Sequence, residues 1–580
     1  MVETPEEPSE RGNHALTRLA GVASAALWVL LCVRWFDPGE LFRPPPLAAL
    51  PPLILATPAA VLGLVWLRAR WCGLASVPLG PARRGLWLVL FLAFFFRLPI
   101  VARGAAAAVT PDGALSGIVA LHVLEGTEHL VFVPHVPYSG SLKSHLTAPL
   151  AAVLDPARAF ALVSVLFYLL YVAGLFRLGL YVAGPRAAVL AGLYAALSPP
   201  FLTRYSVSND GNYVEVLALG TWALWLGARW TREPQHRNLL ALAAGGLLGL
   251  AFWCHILAVI PFAALALLFV LVARWRSWAS LLALAVGWAL GDVPGLIWNA
   301  ANGWQSFQYL LPGEARAGEA GIHVLVRGLG TKLWAMVTDE WPVLLGYDPG
   351  YGPLLDGGLR VVAWLGVAAA TWATIHVLRR AWRERSWPLA GLLLFAALNV
   401  AIALVGLPHV PGNPRYLLFL MCVLPVFLGD ALGEGRRRFV LLALVAVGAT
   451  ASVAQLAGTV RADGRWRRFV AALEDRGVRW CYTDFFLATP INFLSAERIV
   501  CSAKLGPITT EYFFRYREEV ERAPEAAYVA VNRTSARRLE RRLDAIGVGY
   551  ERLDLMKPVL LPRRKVDPEE LFPWREFPWR

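Results

Sequence analysis

Between residues 15 and 458 the sequence repeats one pattern, an apolar run followed by a short arginine-bearing turn. Each run is close to the ~20 residues that cross the hydrocarbon core of a bilayer, and that length leaves a buried chain few choices besides a helix. The composition agrees: 57% hydrophobic residues, 17% charged residues and a mean hydropathy of +0.51 exclude an ordinary soluble protein. Residues 1–13 are polar and acidic, and the run 15–36 is long enough to span, so the N-terminus reads as a true membrane helix and not a cleaved leader. The predicted spans are 15–36, 46–67, 85–102, 158–181, 186–202, 213–229, 238–254, 256–274, 278–298, 358–378, 387–407, 415–432 and 439–458, about thirteen in all.

The net charge of +14 lies in clusters between the runs and forms no basic soluble face, so it points to topology and not to nucleic acid. With the N-terminus inside, the cytoplasmic turns collect Arg68, Arg70, Arg83, Arg84, Arg274, Arg276, Arg379, Arg380 and Arg436 to Arg438 among others. The short outer loops and helix ends hold only Arg34, Arg43, Arg204 and Arg415. That bias fixes the expected orientation. Two outer loops, 103–157 and 299–357, are long and carry amphipathic stretches (Gly113 to Leu124, Ile322 to Val337) suited to the interface. From about residue 460 the pattern changes to strand-like pieces (Trp480 to Thr483, Ile499 to Ser502, Ala527 to Val531, Tyr550 to Leu555) and charged helices (Arg465 to Arg476, Ser535 to Ile546). This predicts a soluble α/β domain on the outer side. There Cys481 and Cys501 can form a disulfide, whereas Cys32, Cys72, Cys254 and Cys422 sit in or beside apolar runs as small hydrophobes.

No Gly-rich phosphate loop follows a strand, so a nucleotide-binding domain is not expected. Chemistry outside the membrane would then use a lipid-carried donor. In the first loop, Asp112 follows Pro111 just beyond a span, where partial shielding can raise a carboxyl's pKa and fit it to take a proton; it can equally cap the helix that follows. Arg415, then Lys143 and Arg204, are the cations placed to meet a phosphate at the boundary, or to snorkel toward headgroups. Glu215 is an intramembrane carboxylate that needs a partner, a sugar hydroxyl or one of these cations. His122, His129, His135 and His145 crowd the first loop with Glu125 and Glu128. The sequence requires no cofactor but leaves a divalent metal open, with His122 and His129 as candidate ligands. Asp484, before Phe485 and Phe486, reads as a helix cap or a substrate contact.

The motif order resembles the GT-C glycosyltransferases of bacteria, among them the protein O-mannosyltransferase and lipid A aminoarabinose transferase group. The motifs are Phe96-Arg97-Leu98-Pro99, Asp112, Gly126, Tyr138-Ser139-Gly140-Ser141-Leu142, Leu197-Ser198-Pro199-Pro200 and Gly211-Asn212-Tyr213-Val214-Glu215. Phe252-Trp253-Cys254-His255, Asp292-Val293-Pro294 to Trp298-Asn299, and Pro414-Arg415-Tyr416-Leu417-Leu418 follow in order. The resemblance implies an α-helical polytopic GT-C-like protein of the cytoplasmic membrane. Residues 1–84 would carry two extra helices, 85–459 the catalytic transmembrane domain, and 460–580 an extracytoplasmic α/β domain that covers the site or selects the acceptor. It further implies one inverting transfer from a polyprenyl-phosphate-linked sugar to a lipid, glycan or protein acceptor. Asp112 would be the general base, Arg415, Lys143 and Arg204 would hold the donor phosphate, and Glu215, Tyr138, His409 and Tyr416 would contact substrate. Where the family often has an Asp-Glu pair, this sequence has Asp112-Gly113. The rival from another class is a transporter or lipid flippase of cell-envelope glycan assembly, which would show inverted repeats and broken helices.

Overall fold

The computed structural model describes residues 21–30, 82–105, 110–208, 211–273, 278–310, 322–347, 353–405, 413–505 and 511–572. The expected span 46–67 lies outside them, and of 15–36 they include the helix Gly21–Leu30.

Helix α1 (Ala82–Arg103) leads into the first loop, which folds as α2 (Pro111–Glu125), a ribbon of β1 (Phe132–Val133) and β2 (Val136–Gly140), and α3 (Leu142–Ala151). Then come α4 (Pro156–Ala183), the short helices Pro185–Ala196 and Pro200–Tyr205, α5 (Tyr213–Arg232), α6 (Arg237–Cys254), α7 (Val259–Ala273), α8 (Trp278–Gly291) and α9 (Val293–Ala301). The second loop holds the helix Ile322–Ala335. Beyond it lie α10 (Pro353–Arg383), α11 (Trp387–Val405), a 3-10 stretch Arg415–Cys422, α12 (Leu424–Leu432) and α13 (Arg438–Asp475).

Among the described residues seven helices are long and apolar enough to cross a membrane, or nine when the bent pairs α8/α9 (72°) and Arg415–Cys422/α12 (49°) each count as one span. Proline explains both bends: Pro294 and Pro425 stand at the start of the second member, where a ring is tolerated but cannot extend the helix before it. Besides 15–36 and 46–67, two of the predicted spans are not among the nine. The stretch 186–202 breaks at Leu197-Ser198-Pro199 into two short helices. Helix α5 has the length, but Glu215, Arg229 and its tryptophans lower its hydropathy; it is buried on nearly every side by the bundle, so these residues face protein.

Without a hydrophobic drive between helices in lipid, close backbone approach matters more. Helices α6 and α8 meet through Gly245 and Gly249 on one and Gly287 and Gly291 on the other. A Cβ at Gly249 would strike the Trp288 carbonyl, and one at Gly287 the Leu242 carbonyl.

Helix α13 has 38 residues, about 57 Å of rise, well beyond a bilayer core of ~30 Å. It carries the chain out to the tail: β3 (Trp480–Tyr482), α14 (Phe485–Leu494), β4 (Val500–Ser502), α15 (Phe514–Arg522), β5 (Ala527–Val529), α16 (Arg533–Ala545), β6 (Tyr550–Asp554) and β7 (Pro558–Pro562). The sheet order is β4-β3-β5-β7-β6, parallel among the first three and antiparallel at β7 and β6. Cys481 faces Cys501 in register and the two form the disulfide. Ala114, Leu115, Ile118 and Val119 of α2 share one apolar core with Phe485, Ile491 and Phe493 of α14, so tail and first loop are a single packed body.

Gly249→Leu is expected to lower unfolding stability in detergent by about 1–3 kcal/mol through overpacking. Gly246→Ala, whose nearest new contact would be the Gly287 carbonyl at 3.8 Å, should stay within about 0.5 kcal/mol. Equal effects would remove the glycine seam from the account.

Candidate functional site

Three of the sequence motifs meet in one knot that fixes the first loop to the bundle. Asn212 Nδ2, from a residue in the left-handed region (φ 57°), donates to Ser139 Oγ at 3.0 Å, to the Gly140 carbonyl at 2.6 Å and to the Cys254 carbonyl at 3.0 Å. Trp253 Nε1 donates to the Val131 carbonyl at 2.9 Å, and Ser139 bridges His255 as an antiparallel pair. A Cβ at Gly140 would collide with the Trp253 carbonyl, so only glycine allows the ribbon to lie this close. Arg97 joins the Phe96-Arg97 and Leu197-Ser198 motifs. Fully buried, it donates from Nε to Ser206 Oγ at 2.6 Å, from Nη1 to the Ala196 carbonyl at 2.9 Å and from Nη2 to Ser198 Oγ at 2.9 Å, with its guanidinium 3.9 Å from the Tyr168 ring centre.

Tyr138 stands on the strand that this knot fixes, and Asp112 on helix α2. The N-cap of α2 is Thr110, whose Oγ1 accepts from the Gly113 N–H at 3.2 Å, so Asp112 is not the cap. It sits exposed in the first turn, where the helix dipole favours a carboxylate. Tyr138 lies half-buried 4.8 Å from Tyr309 and 5.8 Å from His255 between ring centres. Its phenol is raised above the ordinary 10.0, first by burial and then by Tyr309 and Tyr416; Arg415 pulls the other way and Asp112 adds to the rise. Tyr138 is therefore within electrostatic reach of both Asp112 and Arg415. Arg415 Nη2 donates to Tyr416 Oη at 3.0 Å, and its Nε has no hydrogen-bond partner among the described residues. Tyr213, 5.1 Å from His255 and 5.3 Å from Tyr205, lines the same region. Tyr138 thus senses both Asp112 and Arg415, and Arg415 is hydrogen-bonded to Tyr416.

The other expected residues are placed as follows. Lys143 and Glu215 meet each other at 2.9 Å with side chains 1% and 0% exposed, as charges without the alignment of a hydrogen bond. Arg204 is exposed at the end of Pro200–Tyr205, with its guanidinium 5.6 Å from the Tyr205 ring centre. His409 lies outside the described residues. Among the described residues no group of three or more His, Cys, Asp or Glu side chains is arranged to hold a metal ion. His129 is exposed, while His122 is fully buried between loop and tail. His122 Nδ1 faces Glu128 Oε2 at 3.1 Å and Nε2 faces Glu497 Oε1 at 2.8 Å. Arg515 Nη2 donates to Glu497 at 2.7 Å and abuts His122; Tyr516 donates to Glu497 as well. Asp484 caps α14, its Oδ1 accepting from the Leu487 N–H at 3.0 Å.

Sequence reasoning did not single out His255, Tyr213, Tyr309 or Tyr512 as site residues. The first two stand in motifs it quoted, and Tyr309 and Tyr512 leave no local signal because tertiary packing alone brings them in.

The fold is that of a polytopic helical membrane protein with a mixed-sheet tail. No protein-family model matches the sequence, and no curated protein is significantly similar to it. Among solved structures the fold is similar to ArnT from Cupriavidus metallidurans, determined bound to undecaprenyl phosphate: 14% identity over 84% of this chain and 98% of that one, TM-score 0.53. The oligosaccharyltransferase of Archaeoglobus fulgidus in its apo form aligns at 15% identity over 77% and 69%, TM-score 0.49. The likeness to ArnT is one of fold, and it agrees with the GT-C resemblance of the ordered motifs.

The His122 cluster has a defined pH signature. Burial alone would lower the imidazole, but Glu128 and Glu497 outweigh it and hold His122 above its ordinary 6.5, with Arg515 opposing. Burial would raise Glu497, yet His122, Tyr516 and Arg515 bring it to about 2 from the ordinary 4.5. The raised histidine contributes fully below 6.5 and its contribution is lost as pH rises through the folded value; the depressed glutamate contributes fully above 4.5 and loses this as pH falls toward about 2. The tail should therefore be held most firmly between pH 4.5 and 6.5. Hydrogen exchange of the Phe485–Leu494 amides should accelerate on going from about pH 6 to about pH 9 beyond the intrinsic rate change, and His122→Gln should flatten that excess. An unaltered excess in the variant would contradict the assignment.

Proposed function

We propose that this chain is a membrane glycosyltransferase that moves a sugar from a polyprenyl-phosphate-linked donor to an acceptor hydroxyl on the outer face of the membrane, with inversion. The observation that supports the reading is Tyr138 standing within electrostatic reach of both Asp112 and Arg415, in a fold similar to that of ArnT. Asp112 takes the acceptor proton as the acceptor oxygen attacks the anomeric carbon. The bond from that carbon to the phosphate oxygen breaks, and its electrons leave with the polyprenyl phosphate. Arg415 stabilises the charge that develops there, and the exposed Arg204 is a second cation at the rim. The position of Asp112 in the first turn of α2 favours the ionised form that a base requires. The neutral Tyr138 phenol can hydrogen-bond either partner. The arginine pattern supports the outer face for this site and tail.

The two broken spans are a feature that a lipid flippase would share. Transfer separates the readings. In membranes supplied with polyprenyl-phosphate sugars, Asp112→Asn should lower transfer to surface glycans or lipids by about 10²–10⁴-fold, the usual range for a lost general base. Unchanged transfer in the variant would remove the mechanism and favour the flippase.

A further inference from the structure

We propose that the cleft at the carboxyl ends of β3 and β5 in the tail is a saccharide-binding site, and that the unit it takes is an acetamido sugar of the acceptor. The inference rests on the glycosyl-transfer reading and supplies its acceptor class, a glycan.

The site follows from the order of the strands. Strand β3 lies between β4 and β5 and is parallel to both. The chain leaves β3 through α14 toward β4, and leaves β5 through α16 toward β6 at the opposite edge of the sheet. The two loops diverge, and open parallel sheets bind their ligands in the crevice that such a divergence leaves. Here the crevice encloses about 330 Å³ of open space, bounded by Asp484 after β3, Ala530 and Val531 after β5, and Ser535 and Arg538 of α16. Its frame is fixed by hydrogen bonds. Thr483 Oγ1 donates to the Val529 carbonyl at 2.7 Å, and the Leu505 N–H to the Thr483 carbonyl at 2.9 Å. Lys557 Nζ donates to the Val531 carbonyl at 2.9 Å, and Asn532 Oδ1 caps α16 by accepting from the Ser535 N–H at 2.9 Å.

The walls select the ligand. Leu505, Val529, Leu539 and Phe572 are apolar and buried, while Asp484, Ser535 and Arg538 bring a carboxylate, a hydroxyl and a guanidinium to the same cleft. A volume of about 300 Å³ stands at the lower end of ligand pockets, so one sugar unit is the fitting size. A polyprenyl or acyl chain would gain nothing from the polar groups, and a phosphate would meet the Asp484 carboxylate. A peptide strand finds no free edge, because β3 and β5 each have a neighbour on both sides. An acetamido sugar answers both halves of the lining: its methyl suits the apolar walls, and its amide and hydroxyls can accept from Arg538 and donate to Asp484. The cleft also opens at the useful end of the sheet. Phe485, next to Asp484, stacks on Tyr512 at 4.7 Å, and Tyr512 meets His135 edge-on at 5.6 Å. His135 stands in the turn between β1 and β2, and β2 carries Tyr138. A glycan anchored in the cleft therefore has the first loop beside it.

The test uses the full-length protein in lipid nanodiscs and saturation-transfer NMR with two probes, the methyl glycosides of N-acetylglucosamine and of glucose. The acetyl methyl protons should receive the strongest saturation from the unaltered protein, and the glucoside should receive little. Arg538→Ala, on an exposed side chain, should weaken that binding about tenfold, and Ala530→Leu, which fills the cleft, should abolish it. If Ala530→Leu fails to fold, Arg538→Ala decides alone. Unchanged saturation in either folded variant, equal saturation of the two probes, or displacement of the acetamido sugar by inorganic phosphate would overturn the inference. Asp112→Asn should keep the binding, so a failed catalytic role for Asp112 leaves this result standing. Absence of binding with transfer intact would strike the tail site and leave the transfer reading.

Discussion

A charge carried into a bilayer must be answered by a partner or by water, and the bundle is arranged around a few such answers. Arg97 satisfies its guanidinium on Ser206, Ser198 and the Ala196 carbonyl, which ties α1 to the break between the two short helices. Lys143 meets Glu215 and ties α3 to the start of α5. Arg229 closes on Glu233 at 2.7 Å, and Arg380 on Asp430 at 2.5 Å. The first two of these ties fix the helix ends near the site; the Arg229 and Arg380 pairs lie at other helix ends. Because Lys143 has Glu215, the phosphate role in the proposed reaction falls mainly on Arg415.

The tail is part of that arrangement. Its α14 packs into the same core as α2, and the His122 cluster adds a polar tie at the edge of that core. The helix that presents Asp112 is therefore held by α3, where Ser144 Oγ donates to the Ser116 carbonyl, and by the tail. A base works only at a fixed distance from its substrate, so the tail contributes to the geometry of the proposed reaction even through residues that never touch it.

Much of the bundle was legible in the sequence because lipid imposes one rule on every residue in contact with it. The runs at 85–102, 158–181 and 387–407 became α1, α4 and α11 with ends shifted by a few residues. The rule fails where protein replaces lipid as the neighbour: α5 carries Glu215 and Arg229 inside the bundle, and the run at 186–202 bends at Pro199 to receive Arg97. In the tail, β3 to β6 followed the strand-like pieces, but β7 was not among them; it begins and ends on proline, which weakens a strand's local signal. The histidines of the first loop were read for metal ligation; tertiary packing instead places Glu497 and Arg515 against His122 from more than 370 residues away. Asp112 stood out by its place after a span, whereas Tyr512 depends wholly on how the tail docks.

Side-specific labelling tests the central geometry most directly. Asp112→Cys and Arg415→Cys variants, each compared with the parent protein, would be exposed to a membrane-impermeant maleimide in intact cells and in inverted vesicles. Both cysteines should react from the outer face and stay protected in inverted vesicles. Reaction of the two from opposite faces, or of either only in inverted vesicles, would contradict a shared outer site.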